Sequence, residues 1–248
     1  MKTKSILAMM LSLLLVLGAC NEKDKQEPET SGNNSQSGQE GTPSFDGDEG
    51  TVDGHAWVSL GLPSGTLWAT CNIGADSPEE YGDYFAWGET EPKTDYGWST
   101  YNYGTSSSTL TKYCNNSSKG FEGYADTLTV LEAADDAATA NWGSAWRMPT
   151  IAEIEELYNN CTNTWTSLGG KEGRLFTSAN GKTIFLPAAG SCMGSEPGYV
   201  GAYGYYWSKL LYTDNPGFSC NLYCSSDNVG HGYTARYYGL PVRPVVNR

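Results

Sequence analysis

Two histidines, His55 and His231, are the first place to look for a base, and neither stands in a nucleophile motif. No Gly-x-Ser-x-Gly elbow is present to lift a serine toward one. His55 opens a strand-like run and reads as a turn or edge residue. His231, between Gly230 and Gly232, reads as a hairpin residue. Acids are plentiful (Glu79, Glu80, Asp83, Glu89, Glu91), but nothing in their spacing sets two across a cleft as glycoside hydrolysis needs, so they read as solvated loop acids. Asp214 and Asn215 could join an oxygen cage for calcium, but no patterned ligand set surrounds them. Catalysis, a metal and other cofactors are therefore not expected.

The tyrosines point elsewhere. Nine lie between positions 199 and 238, mixed with Asn, Ser and Gly. That composition is typical of binding surfaces, where Tyr supplies rigid amphipathic area at low entropy cost. Tyr203, Asn221, Tyr223, Tyr233 and Tyr237 are the candidate contacts for a glycan or protein ligand. On the run 218–224, alternation predicts Phe218, Cys220, Leu222 and Cys224 facing inward, with Ser219, Asn221 and Tyr223 outward.

Of seven cysteines, six follow residue 50, an even number that suits disulfides in an exported chain and allows 15 connectivities. Cys220 and Cys224 on one strand would sit about 13 Å apart, beyond the roughly 7 Å limit between bridged α-carbons. Cys71 with Cys161 is the preferred pair. No spacing matches a zinc site.

The N-terminus carries an address. Lys2 and Lys4 precede an apolar run from Ile6 to Leu17, too short to span roughly 30 Å of hydrocarbon as a helix. Residues 1–19 read as a signal peptide. Its end, Leu17-Gly18-Ala19-Cys20, resembles the lipobox of bacterial lipoproteins, which makes Cys20 the acylated residue and anchor. Residues 20–50 hold one large apolar side chain, Phe45, and read as a disordered acidic tether with a reach of roughly 30 Å. The acids Glu22, Asp24, Glu27 and Glu29 resemble export signals of Bacteroidetes surface lipoproteins, so the expected location is the outer membrane, facing outward. Asp126-Thr127-Leu128 resembles the O-glycosylation motif of that group, with Thr127 as acceptor.

The formal charge is −13, and residues 51–248 hold 20 acids against 11 bases, a net −9. Such a balance argues against nucleic-acid binding, which needs clustered Lys and Arg.

The elements that must position these residues are mostly short strands. Candidates are His55–Leu60, Thr66–Cys71, Tyr84–Trp87, Thr183–Leu186, Tyr205–Leu211, Ser219–Cys224 and Val242–Val246. One helix is clear, after Pro149-Thr150, with Ile151, Ile154, Leu157 and Tyr158 on one face and a Thr150–Glu153 capping box. A second is expected over Val130–Thr139 with Asp135 and Asp136 exposed, and Asn102–Gly123 reads as a long surface loop. Trp68, Trp87, Trp146 and Trp207 read as core fillers. Arg147 and Arg243 read as loop anchors. The expectation is one loop-rich α+β domain over residues 51–248.

Five blocks carry a resemblance in order: VDGHAWVSLGLPSGTLWATCNIGADSPEEYGDYFAW (52–87), WRMPTIAEIEELYNNC (146–161), FLPAAG (185–190), GYYWSK (204–209) and RYYGLPVRPV (236–245). Together they resemble the Fibrobacter succinogenes major paralogous domain of Bacteroidetes surface lipoproteins, over about residues 52–247. The resemblance implies a C-type-lectin-like fold, a small twisted β core with one or two helices under a loop-rich face. It implies no catalytic residues. Glu91-Pro92-Lys93 and Glu196-Pro197-Gly198 lack the third oxygen ligand of the calcium-dependent sugar-binding tripeptides in that fold. The C-terminal stretch resembles the region that diversity-generating retroelements rewrite. The implied function is ligand recognition; the alternative is a structural or accessory subunit of a fimbrial or glycan-uptake assembly.

Overall fold

The computed structural model describes residue 45 and residues 47–246. The signal peptide, Cys20 and most of the tether lie outside the described residues. In chain order the strands are β1 (Glu49–Val52), β2 (His55–Ser59) and β3 (Leu67–Ala69). Then come α1 (Ala137–Trp142), β4 (Trp146–Arg147) and α2 (Ile151–Asn160). β5 (Thr162–Leu168), β6 (Lys171–Thr177) and β7 (Thr183–Pro187) follow. The C-terminal part holds β8 (Ser191–Met193), β9 (Glu196–Gly198), β10 (Gly204–Leu211), β11 (Phe218–Cys224), β12 (Val229–Ala235) and β13 (Val245–Val246). The described chain is thus an α+β domain dominated by antiparallel β-structure. No helix among the described residues is long and apolar enough to cross a membrane.

A five-stranded sheet in the order β1-β2-β3-β13-β4 brings the first and last strands together. Strand alternation puts neighbouring residues on opposite faces. Trp57, Ala69, Trp146 and Val246 therefore enter one apolar cluster with Trp87, Tyr113 and Trp207. Val58, Trp68 and Val245 enter another, with Ile154 and Leu157 of α2 and with Phe176, Ile184, Tyr206 and Leu222. Trp68, Trp87, Trp146 and Trp207 are all buried, as expected.

Arg243 donates to Asn72 and to the carbonyls of Ala69, Thr70 and Phe185. It ties the chain end to β3 and β7. Arg147 clamps both carboxylate oxygens of Glu153 at 2.8 and 2.5 Å.

Helix α2 starts as its capping box predicts: Glu153 N–H donates to Thr150 Oγ1, and Thr150 N–H donates back to Glu153 Oε2. Burial alone would raise the Glu153 pKa, but Arg147 and Thr150 outweigh it and hold the carboxyl at about 2. A pKa depressed in the folded state adds stability above the unfolded value, and that stability is lost as pH falls toward the folded one. Acid unfolding between about pH 4.5 and pH 2 is therefore expected to be shallower in Glu153→Gln than in the parent. Urea titrations across that window check this; parallel curves would contradict it.

Several expectations change. β1 begins at Glu49 and Phe45 packs on the Trp57 ring at 6.0 Å, so the ordered domain begins before residue 51. Tyr84–Trp87 is not a strand; Phe85 makes only an isolated bridge to Leu240. Four of its residues in a row enter the core or its margin, a pattern that apolar content alone does not separate from a strand.

The second helix begins later than expected, after a 3₁₀ turn at Ala133–Asp135. Its acids are buried rather than exposed. Asp136 caps α1 and also accepts from Met148 N–H. Asp135 accepts from Lys112, Tyr103 and Tyr113; burial pushes its carboxyl up, but these bonds outweigh that and hold it below its ordinary range. The segment 102–123 is a loop as expected, yet it buries Tyr113, Cys114 and Leu110.

The Cys71–Cys161 disulfide is not formed, because Cys161 carries a free thiol. Cys161 ends α2 inside the second cluster, whereas Cys71 continues from β3 toward His55 and Trp142 on the other side of the sheet. Burial raises the Cys161 pKa to about 11, which keeps it a thiol. Cys220 and Cys224 are also free, in line with the one-strand geometry.

Candidate functional site

The sheet β10-β11-β12 carries most of the C-terminal tyrosines. Its register is continuous between β11 and β12 over seven pairs. β11 is the central strand, so both its faces are covered. Leu222 and Cys224 pack toward α2 in the second cluster, and Asn221 lies opposite Trp207, which belongs to the first.

This corrects one predicted contact. Asn221 is 1% exposed and spends its amide on Thr234 Oγ1 at 2.8 Å, and Ser219 beside it is buried too. The outward reading of Ser219 and Asn221 assumed one solvated face, and this strand has none.

The remaining tyrosines fall in two places. Ser191, Tyr199, Tyr205, Phe218, Tyr233, Thr234, Ala235, Tyr237 and Tyr238 line an open groove of about 470 Å³. Tyr233 is 57% exposed and lies flat on Tyr212, ring centroids 4.2 Å apart. Tyr237 sits between Trp98 at 5.0 Å and Tyr238 at 4.8 Å; burial, with the Tyr238 hydroxyl beside it, raises its pKa to about 12. Tyr203 stands at the rim, stacked on Tyr205 at 5.9 Å.

Tyr223 is not part of the groove wall. Its ring covers Gly230 and Gly232, and its hydroxyl accepts from Asn228 Nδ2. Thr127 is an exposed loop residue, beside an Asp126 that staples the loop through Tyr113, Cys114 and Leu128 N–H groups.

Tyr199 was absent from the predicted contacts. It adopts φ +63°, a left-handed conformation that costs a residue with a side chain, and yet its ring is 68% exposed. Its backbone explains the turn: the Tyr199 carbonyl accepts from Ala202 and Tyr203, and Gly201 N–H donates to Ala188. The strain is spent on pointing an aromatic ring at solvent beside Tyr203. Its place just before the turn Gly201-Ala202 was the only sequence signal. Met193, 60% exposed, packs its sulfur near the Tyr237 and Tyr238 hydroxyls and extends the same face.

No Asp, Glu, Lys, Arg or His lines the groove. Its chemistry is ring faces and hydroxyls: apolar contact, stacking and neutral hydrogen bonds. Among the described residues no group of three or more His, Cys, Asp or Glu side chains is placed to hold a metal ion. Asn215 uses its amide oxygen on Gly217 N–H. The loop acids do structural work in places: Glu89 is buried rather than solvated, paired with Lys93 and the Asn102 N–H, and Glu80 accepts from Asp76 N–H.

Neither histidine faces a nucleophile. His55 stacks on Trp142 at 3.8 Å, and that burial lowers its pKa. His231 contacts Tyr158 and Glu155 of α2. A smaller recess of about 260 Å³ beside His55 has Trp142 as its one large aromatic wall.

The fold and groove together define a β-rich domain presenting an uncharged aromatic surface. Comparison with protein-family models, with curated proteins and with solved structures finds no match.

Proposed function

We propose that this chain is a lipid-anchored outer-membrane protein, exposed on the cell surface, whose C-type-lectin-like domain recognises a ligand without catalysing a reaction. Cys20 carries the anchor and the tether sets the domain off the membrane. The Fibrobacter succinogenes major paralogous domain is the family its sequence blocks resemble.

The observation that carries the recognition reading is the groove between Tyr199, Tyr205, Tyr233 and Tyr237, an aromatic concavity left open to solvent. Contiguous exposed apolar surface is costly to keep unless it is used. An uncharged lining in a domain of net −9 selects against anionic ligands and suits a neutral one. A neutral glycan, whose apolar ring faces stack on Tyr and whose hydroxyls bond to phenols, fits this chemistry, as does an uncharged protein segment.

The test has two arms. Protease added to intact cells should remove the domain, and the intact protein should retain neutral glycans over sialylated or sulfated ones on an array, or else bind a partner cell surface. A domain resistant on intact cells, or a preference for acidic glycans, would contradict the reading.

A further inference from the structure

We propose that β12 joins two copies of this chain through a twofold antiparallel strand contact centred on Gly232. This is independent of what the tyrosine groove binds.

β12 is an edge strand, paired with β11 on one side only. The bonds Ser225 N–H to Asn228 O and Arg236 N–H to Gly217 O bracket the hairpin and fix its hydrogen-bonded pairs. Stepping by two between them makes 223/230, 221/232 and 219/234 the pairs bonded to each other. The backbones of Val229, His231, Tyr233 and Ala235 therefore point outward. Val229 N–H is taken by Asn228 Oδ1, and Ala235 O by Tyr238 N–H. The N–H and C=O of His231 and Tyr233 have no partner among the described residues, and both residues are exposed.

An open edge is normally blunted with Lys, Pro, a bulge or an inward charge. β12 reads VGHGYTA, with none of those residues and no break in register over seven pairs. Two like-charged domains of net −9 repel over most of their surface, and this strip is uncharged apart from the titratable His231.

The strip is also complementary to itself. Turned about Gly232, two β12 strands exchange bonds between His231 of one copy and Tyr233 of the second copy, in both directions. Every outward group of these two residues is then satisfied. His231 lies across from an aromatic ring, and Gly232 meets Gly232 with no side chain between the backbones. No like charges oppose. The contact is isologous, as closed dimers require, and continues the three-stranded sheet across the interface.

The intact chain in its membrane tests this. In the twofold register residue 232 is a non-hydrogen-bonded pair with itself, about 4.5 Å between α-carbons, within disulfide reach. A Cβ at Gly232 meets only Tyr223 at 3.6 Å and Asn221 at 3.9 Å, so Gly232→Cys is tolerated. Under copper-phenanthroline oxidation it should run at twice the monomer mass on a non-reducing gel. Gly230→Cys, whose two copies would lie about 13 Å apart, should stay monomeric. Adding His231→Pro to Gly232→Cys removes one outward N–H and leaves the β11 ladder intact, and should abolish the dimer band. A monomeric Gly232→Cys, equal crosslinking of Gly230→Cys, or linkage to a different protein would overturn the proposal.

Discussion

Arg236→Met is expected to lower the free energy of unfolding by about 4 kcal/mol, in the range for stripping one partner from a buried ionic network. Arg236 is fully buried. Nε donates to the Tyr101 hydroxyl, Nη1 to the carbonyls of Tyr113 and Pro216, and Nη2 to that of Lys112. The guanidinium also lies 5.0 Å from the Trp87 ring and 5.3 Å from Tyr101. One side chain thus holds the 102–123 loop and the turn before β11 against the core.

Methionine fills similar volume, so the cavity contribution is small. What decides the sign is the set of main-chain carbonyls, which remain buried without a donor at about 1–3 kcal/mol each before relaxation. Desolvating a guanidinium is itself costly, and replacing a whole ionic network by apolar residues is often neutral. Here the partners are backbone and cannot be replaced with it. Arg236→Lys should lose about half as much, because an ammonium cannot fork to three carbonyls and a hydroxyl at once. Guanidinium titrations of the three proteins measure this. A change below about 1 kcal/mol in Arg236→Met would show that the loop is held by something else.

Asp136→Ala is expected to cost about 3 kcal/mol, combining a lost N-cap with an orphaned buried N–H. Asp136 accepts from Ala138 and Thr139 at the start of α1, and both its oxygens accept from Met148 N–H at 3.0 Å. It therefore fixes α1 and the chain leaving β4 to one carboxylate. Burial raises its pKa above the ordinary value, only partly offset by those hydrogen bonds and by Lys209. A raised folded pKa means its titration favours the folded state at low pH and ceases to as pH rises through the folded value. Ionised Asp136 thus carries a burial cost at neutral pH, which keeps the expected loss below the sum of its bonds. Asp136→Asn should lose nearly as much, since its amide would aim N–H at N–H on one side. Denaturation at pH 7 checks both; an Asp136→Asn protein as stable as the parent would contradict the carboxylate's role.

These two residues also show where the sequence was and was not legible. Helix α2 was readable to the residue because a capping box and a helical stripe are local signals. β2, β7, β10 and β11 were readable because β-branched and aromatic runs stand between turn residues. The hairpin of β5 and β6 was missed, although Gly169-Gly170 occupies its two-residue turn with φ +55° and +80°, the conformation such turns demand. Thr162–Leu168 is polar and half-exposed, so its alternation is faint in hydrophobicity.

Asp135, Asp136 and Glu89 were misread for a different reason. A charged residue in a loop is solvated unless donors from distant segments converge on it, and convergence is tertiary. Arg236 sits in a block singled out by resemblance, but its burial follows from Tyr101, Tyr113 and Pro216, which no local pattern links to it. At the groove, the tyrosine composition located the face. Asn221 failed because β11 is covered on both sides, and Tyr199 was overlooked because its exposure depends on a left-handed backbone.

The central claim is that the groove tyrosines are kept for binding and not for packing. The most direct measurement pairs ligand retention with stability in a Tyr199→Ala, Tyr233→Ala double variant, using whichever array glycan or cell surface the intact protein retains. The account predicts binding weakened at least about thirtyfold, the scale of losing a roughly 2 kcal/mol aromatic hot spot. It also predicts unfolding free energy lowered by no more than about 1 kcal/mol, the Tyr212 and Phe218 ring contacts being all the fold loses. Unchanged binding, or a stability loss of several kcal/mol, would make these rings part of the scaffold and contradict the claim.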